Sequence, residues 1–143
     1  GWHLGEHAIW GKHALFEESL RSPLIIIAPE VIQPGTPTDS VVETLDLFPT
    51  LCDLSGLPTP KHLIGTSLLP QLADPKAPGH PAISYTELAT TLRTPTHRLI
   101  AHQGGKFELY DHRNPDAETK NLAKEQPDLV TSLNTTLKKL RTR

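Results

Sequence analysis

Three histidines and a lysine crowd the start of this chain: His3, His7, Lys12 and His13. Imidazoles at this density point to metal ligation or anion binding, and an ammonium beside them points to neutralisation of an oxyanion. His3 and His7 are spaced i, i+4. On a helix that spacing puts two imidazoles on one zinc ion, yet Gly5 lies between them and no acidic general base stands in the expected place. The zinc reading is therefore disfavoured; for His7 a histidine satisfied by hydrogen bonds within a structured loop and one that faces a bound anion stand equal, with Glu6 placed to orient it. Lys12 is flanked by Trp10, Gly11 and His13 in a stretch poor in other charge, where an ammonium can face an oxyanion; solvated surface charge is the competing reading. The single cysteine, Cys52, has no partner for a disulfide or a thiolate metal site.

A loop of this kind needs a rigid element behind it. The run Pro23-Leu24-Ile25-Ile26-Ile27-Ala28 is short, β-branched and bounded by prolines, which predicts a strand covered on both faces, the kind found in α/β sheets. Phe16 to Leu20 predicts a helical turn before it, with Glu17 or Glu18 available to Arg21 or Lys12. The proline-rich stretch from Pro29 to Pro37 predicts a surface connection. Asp46 as N-cap, Pro49 in the first turn and Gly56 at the C-cap predict a helix over Leu47 to Ser55, its face formed by Leu47, Phe48, Leu51 and Leu54, with Cys52 a buried thiol.

The linker-like composition of Asp74 to Pro81 marks a boundary, giving residues 1–75 to one domain and 76–143 to a small terminal subdomain. There Ala82 to Leu88, His97 to His102 and Lys106 to Asp111 alternate as strands, and Gly104-Gly105 closes a hairpin between the last two. Pro127 opens an amphipathic helix with Leu129, Val130, Leu133, Leu137 and Leu140 on one side, and Lys138, Lys139, Arg141 and Arg143 suit its C-terminal dipole.

With 143 residues the chain is long enough for a real core, and its net charge of -2 gives no electrostatic footprint for nucleic acid. Fourteen prolines predict many connections. No apolar run approaches the roughly 20 residues that a membrane span requires.

The order Gly5-Glu6-His7, Trp10, Lys12, Phe16-Glu17-Glu18-Ser19, Arg21, Pro23-Leu24-Ile25 resembles the sulfatases of the alkaline-phosphatase-like superfamily, and Trp2 to His7 is most similar to their iduronate-2-sulfatase branch. Gly65-Thr66-Ser67-Leu68-Leu69-Pro70, the Leu109-Tyr110-Asp111 segment and Glu118 with Asn121-Leu122-Ala123 also resemble that family, while Asn114, before Pro115-Asp116, stands where its pattern has aspartate. The resemblance implies the C-terminal part of an α/β alkaline-phosphatase-like sulfatase fold, ending in a small antiparallel sheet and a packed terminal helix. It implies a sulfuric ester hydrolase for sulfated sugars or polysaccharides, in which hydrated formylglycine attacks sulfur while calcium and basic side chains neutralise the sulfate oxygens. Lys12 matches the lysine that holds the sulfate, and His7 is a second candidate near it. No Cys-x-Pro-x-Arg, Asp-Asp or Asp-His metal set occurs here, and Cys52, followed by Asp53-Leu54-Ser55, fails the nucleophile pattern. Neither metal ligands nor activity is therefore expected of these residues alone; calcium ligands and nucleophile are expected in an N-terminal remainder of the sulfatase domain. The resemblance also implies an exported, periplasmic or lysosomal setting. A phosphodiesterase or phosphonate hydrolase of the same superfamily, with Lys12 facing a phosphoryl group, and a non-catalytic cleft or interaction module remain open alternatives.

Overall fold

A computed structural model describes residues 1–29, 34–115 and 118–142. Within it the chain forms two compact units, one made of Gly1–Leu24 with Ile83–Arg143 and the other of Ile25–Ala82.

The first unit is built on a four-stranded sheet: β3 (Ala82–Tyr85), β4 (Ala89–Arg93), β5 (His97–His102) and β6 (Phe107–Asp111) lie side by side in chain order. Antiparallel pairing sets Leu92 opposite Leu99 and Leu99 opposite Leu109, so one face carries a row of leucines. Onto that face packs α4 (Pro127–Leu140), burying Val130 and Leu137 with Leu129, Leu133 and Leu140 beside them. A fully buried leucine such as Leu137 contributes about 1.5–3 kcal/mol by leaving water. Lys138 and Lys139 occupy the last turn of α4 and Arg141 its C-cap, while Arg143 lies outside the described residues. The opposite face carries Ala89, Ile100 and Tyr110, which pack with Leu15, Phe16 and Leu20 from the start of the chain. The sheet is thus covered on both sides, by a helix from its own end and by the His-rich segment.

The terminal sheet and helix match the sequence expectation, with one strand more. β4 is missed because Thr86-Glu87-Leu88-Ala89 holds no glycine, proline or asparagine. Thr86 closes that turn itself: its hydroxyl accepts the Ala89 N–H at 3.2 Å and its N–H donates to the Ala89 carbonyl at 2.8 Å. Gly104 and Gly105, at φ 82° and 81°, supply the left-handed pair that the β5–β6 hairpin demands.

In the second unit a 3₁₀ turn at Thr44–Asp46 runs into α2 (Leu47–Leu54), and α3 (Leu69–Ala73) follows. Asp46 does not cap α2. Its fully buried carboxylate instead accepts the Glu43 and Thr66 N–H groups, at 2.7 and 2.8 Å, and meets His80 Nε2 at 2.8 Å. The Thr50 hydroxyl donates to the Asp46 carbonyl and accepts the Leu68 N–H, which draws Pro49, Thr50 and Cys52 inward. The apolar face expected of this helix is consequently only half covered, with Phe48 56% and Leu51 61% exposed while Leu47 and Leu54 are half-buried. The expectation of a buried Cys52 thiol holds.

Pro23–Ala28 is likewise not a strand. No neighbour pairs with it among the described residues, and Ile25 and Ile27 are exposed. A strand meant for the middle of a sheet leaves its N–H and C=O groups open when no partner lies on either side. No helix among the described residues is long and apolar enough to cross a membrane.

Candidate functional site

The His-rich segment folds as a small hairpin. β1 (His3–Leu4) pairs antiparallel with β2 (Trp10–Gly11), His3 opposite Gly11 and Leu4 opposite Trp10. Between them Gly5, at φ 126°, donates its N–H to the Ile9 carbonyl at 3.1 Å, and a 3₁₀ turn covers Glu6–Ala8. His7 and Ala8 both adopt positive φ, 53° and 57°. Each such non-glycine residue costs on the order of 1–2 kcal/mol and persists only where the surroundings hold it. The Glu6 carboxylate is occupied by the Leu4 N–H at 2.6 Å, a bond that holds its pKa below the ordinary value. Glu6 therefore orients the hairpin backbone, where the sequence suggested that it orients His7.

Phe16 holds the His7 ring instead. The imidazole stacks on Phe16 with centroids 3.8 Å apart and planes 5° from parallel, and its Nε2 lies 3.9 Å from Glu18 Oε2. His3 is fully buried beside this pair, edge-on to His7 at 5.8 Å and to Phe16 at 6.1 Å. It sits on a strand rather than a helix, so the premise of the i, i+4 zinc pair fails. Lys12 follows β2 directly; it is exposed and makes no ion pair among the described residues. The structure thus joins His3, His7 and Phe16 in one cluster, in which Lys12 takes no part.

Behind the hairpin lies a charged network that sequence reasoning missed. α1 (Glu17–Leu20) presents Glu17 to Arg98 and Arg93 of the terminal sheet rather than to Arg21 or Lys12. Arg98 is only 1% exposed and bonds both Glu17 and Glu118. Glu118 Oε1 also meets His112 Nε2 at 2.8 Å, while its Oε2 accepts the Glu17 N–H at 2.7 Å. Burial would raise the Glu118 pKa, but the His112 hydrogen bond, the Arg98 charge and the Glu17 N–H outweigh it and hold the carboxyl at about 2. Burial likewise opposes ionisation of Glu17, and the two arginines overcome it, lowering its pKa. A charged Arg98 directly before the apolar run Leu99-Ile100-Ala101 of β5 is the one signal in the sequence, and it names no partner.

The calcium that the resemblance implies does not fit these residues. Among those described, His7, Glu18 and Glu118 form one group with ligand-capable atoms close together, and Glu17, His112 and Glu118 form another. Calcium takes six to eight oxygens. Each group offers two carboxylates and an imidazole, and both draw on Glu118, which already serves the buried guanidinium of Arg98.

Comparison with known proteins agrees with this fold. Residues 5–143 match the family described as N-sulphoglucosamine sulphohydrolase, C-terminal. The chain is 35% identical over 136 residues to a Delta 4,5-hexuronate-2-O-sulfatase of Bacteroides thetaiotaomicron, covering 85% of this chain and 28% of that protein. It is 32% identical over 152 residues to arylsulfatase K of Bos taurus, covering 94% and 28%. A solved structure in complex with its substrate, D-glucosamine-2-N,6-O-disulfate, superposes with a TM-score of 0.82 at 28% identity, over 100% of this chain and 33% of that one. The chain thus spans 28% of the length of each of these two curated relatives.

Proposed function

Because the chain belongs to the sulfatase family, in its C-terminal region, we propose that the protein of which it forms part hydrolyses sulfate esters of sugars, with Lys12 binding the sulfate group and His7 beside it. Relatives named as a hexuronate-2-O-sulfatase and an N-acetylglucosamine-6-O-sulfatase support a sulfated glycan as substrate. The observation that carries the reading is Lys12 itself: an ammonium with no counter-ion among the described residues, following without a gap on a paired strand and a loop of fixed conformation. An ammonium free to meet the substrate neutralises charge on the sulfate oxygens, and the stabilisation grows as charge accumulates in the transition state.

Nucleophile and calcium ligands belong to the N-terminal remainder of the sulfatase domain, so this chain turns over no sulfate ester by itself. In the whole enzyme residues 1–75 are assigned to the main α/β domain and 76–143 to its small terminal subdomain, with Gly1–Leu24 packed on the sheet of that subdomain. The enzyme works outside the cytoplasm, exported, periplasmic or lysosomal, as the relative named an extracellular sulfatase suggests.

The test is kcat/KM of the intact enzyme on a sulfated sugar. Lys12→Ala should lower it about a hundred- to a thousandfold at nearly unchanged Tm, as loss of one oxyanion donor does. Lys12→Arg should rescue poorly, because a planar fork does not occupy the place of a compact ammonium. Near-normal turnover of Lys12→Ala refutes the assignment.

A further inference from the structure

We propose that Glu118 and Phe16 are positioning residues for His7, through which the terminal sheet sets the geometry of the sulfate-facing hairpin; this rests on the reading of Lys12 and His7 given above. His7 holds a left-handed backbone conformation at φ 53°. What fixes its ring is the parallel face of Phe16 at 3.8 Å. Phe16 in turn is held at two points. Its edge meets Tyr110 of β6 with centroids 6.0 Å apart. Its backbone leads directly into α1, whose first N–H, that of Glu17, donates to Glu118 Oε2 at 2.7 Å. Phe16 stands at the N-cap of α1 and has no side-chain oxygen to cap it, so the cap comes from a carboxylate far along the chain.

Glu118 can serve because it is itself pinned. It is 3% exposed, adopts a positive φ of 67°, and its other oxygen accepts from Arg98 and His112. Arg98 then reaches forward to the Glu17 carboxylate, closing a ring of contacts around the residue that follows Phe16. Two strained residues, His7 and Glu118, thus stand at the two ends of one chain of contacts. Strain of this kind survives only where neighbours over-determine it. Removing the Glu118 charge frees the start of α1, lets Phe16 shift, and releases the imidazole.

The experiment uses the intact enzyme carrying Glu118→Gln, Phe16→Leu or both. Each single change should lower kcat roughly ten- to a hundredfold with little effect on KM, as misplacement of a site group does. The double variant should be hardly worse than the weaker single one, since both act along one path. In enzyme with labelled histidine, the His7 ring protons, which lie under the Phe16 face, should move downfield in both variants. A kcat equal to wild type, additive losses, or unmoved His7 resonances would each overturn the proposal. Lys12→Ala separates it from the sulfate reading. An inactive Lys12→Ala beside fully active Glu118→Gln and Phe16→Leu sinks the positioning role alone, whereas a fully active Lys12→Ala sinks the reading on which it rests.

Discussion

Acidification should discharge Glu118 and loosen the attachment of the His-rich segment to the sheet. Its carboxyl has an ordinary pKa of 4.5 and is held at about 2 in the fold, burial being outweighed by His112, Arg98 and the Glu17 N–H. A group whose folded pKa is depressed contributes stability that is complete above the unfolded value and lost as pH falls through the folded one. The window is therefore pH 4.5 down to about 2. Over it this one carboxyl should surrender about 3 kcal/mol, a large part of the stability of a small domain. Glu17, lowered by the same arginines, acts in the same direction. The direct measurement is the carboxyl-carbon resonance of Glu118 in a selectively labelled sample, followed from neutral pH into acid. A companion urea titration should show the wild-type chain losing about 3 kcal/mol more than Glu118→Gln across the window. The variant itself should start about 3–5 kcal/mol lower, because Arg98 remains buried with one partner fewer. A Glu118 resonance titrating at or above 4.5, or parallel stability curves, would refute the reasoning.

Four further outcomes test the fold. Leu137→Ala, at a site 2% exposed between α4 and the sheet, should cost about 2–5 kcal/mol in denaturant unfolding. Gly104→Val, at φ 82°, should cost about 1–2 kcal/mol or more by forcing a branched side chain into the left-handed region. Phe48→Ser should change the unfolding free energy of this chain by no more than about 0.5 kcal/mol, since the ring is exposed here; a larger loss would show that the face is covered. The Cys52 thiol should react with a water-soluble thiol reagent far more slowly in the folded chain than in urea, and equal rates would contradict its burial.

What the sequence made legible was local. The leucine spacing from Leu129 to Leu140 specifies α4 by period alone, and Gly104-Gly105 specifies a hairpin because only glycine takes two left-handed positions in a row without cost. The resemblance around Gly5-Glu6-His7 and Lys12 led to the sulfatase family for the same reason, being a contiguous run. Burial was misread at two elements where distant partners decide it. Pro23 to Ala28 has the composition of a central strand but no pairing neighbour among the described residues, and α2 turns Phe48 and Leu51 outward because Thr50 and Asp46 decide its inner side. The pairing of Glu17 with Arg98 was invisible, since no local rule relates residues 81 positions apart.

That separation also bears on how the site is assembled. Gly1–Leu24 packs with Ile83–Arg143, and residues 25–82 form a compact unit of their own between them in sequence. The sheet and α4 can form from local hairpins and one short connection, whereas every contact of Phe16 and Glu17 with the sheet must first close a long loop, an entropic cost that grows only as the logarithm of its length. Folding the intervening unit shortens the effective loop, so α1 should dock after that unit and the terminal sheet have formed. The charges suit that order. Arg98 and Glu118 pair within the terminal segment, and arrival of Glu17 adds a second carboxylate to a guanidinium already fixed in place. His7, whose ring rests on Phe16, is then set only when the terminal sheet is complete. On this argument a destabilised sheet would impair the sulfate-facing hairpin before it unfolded the chain.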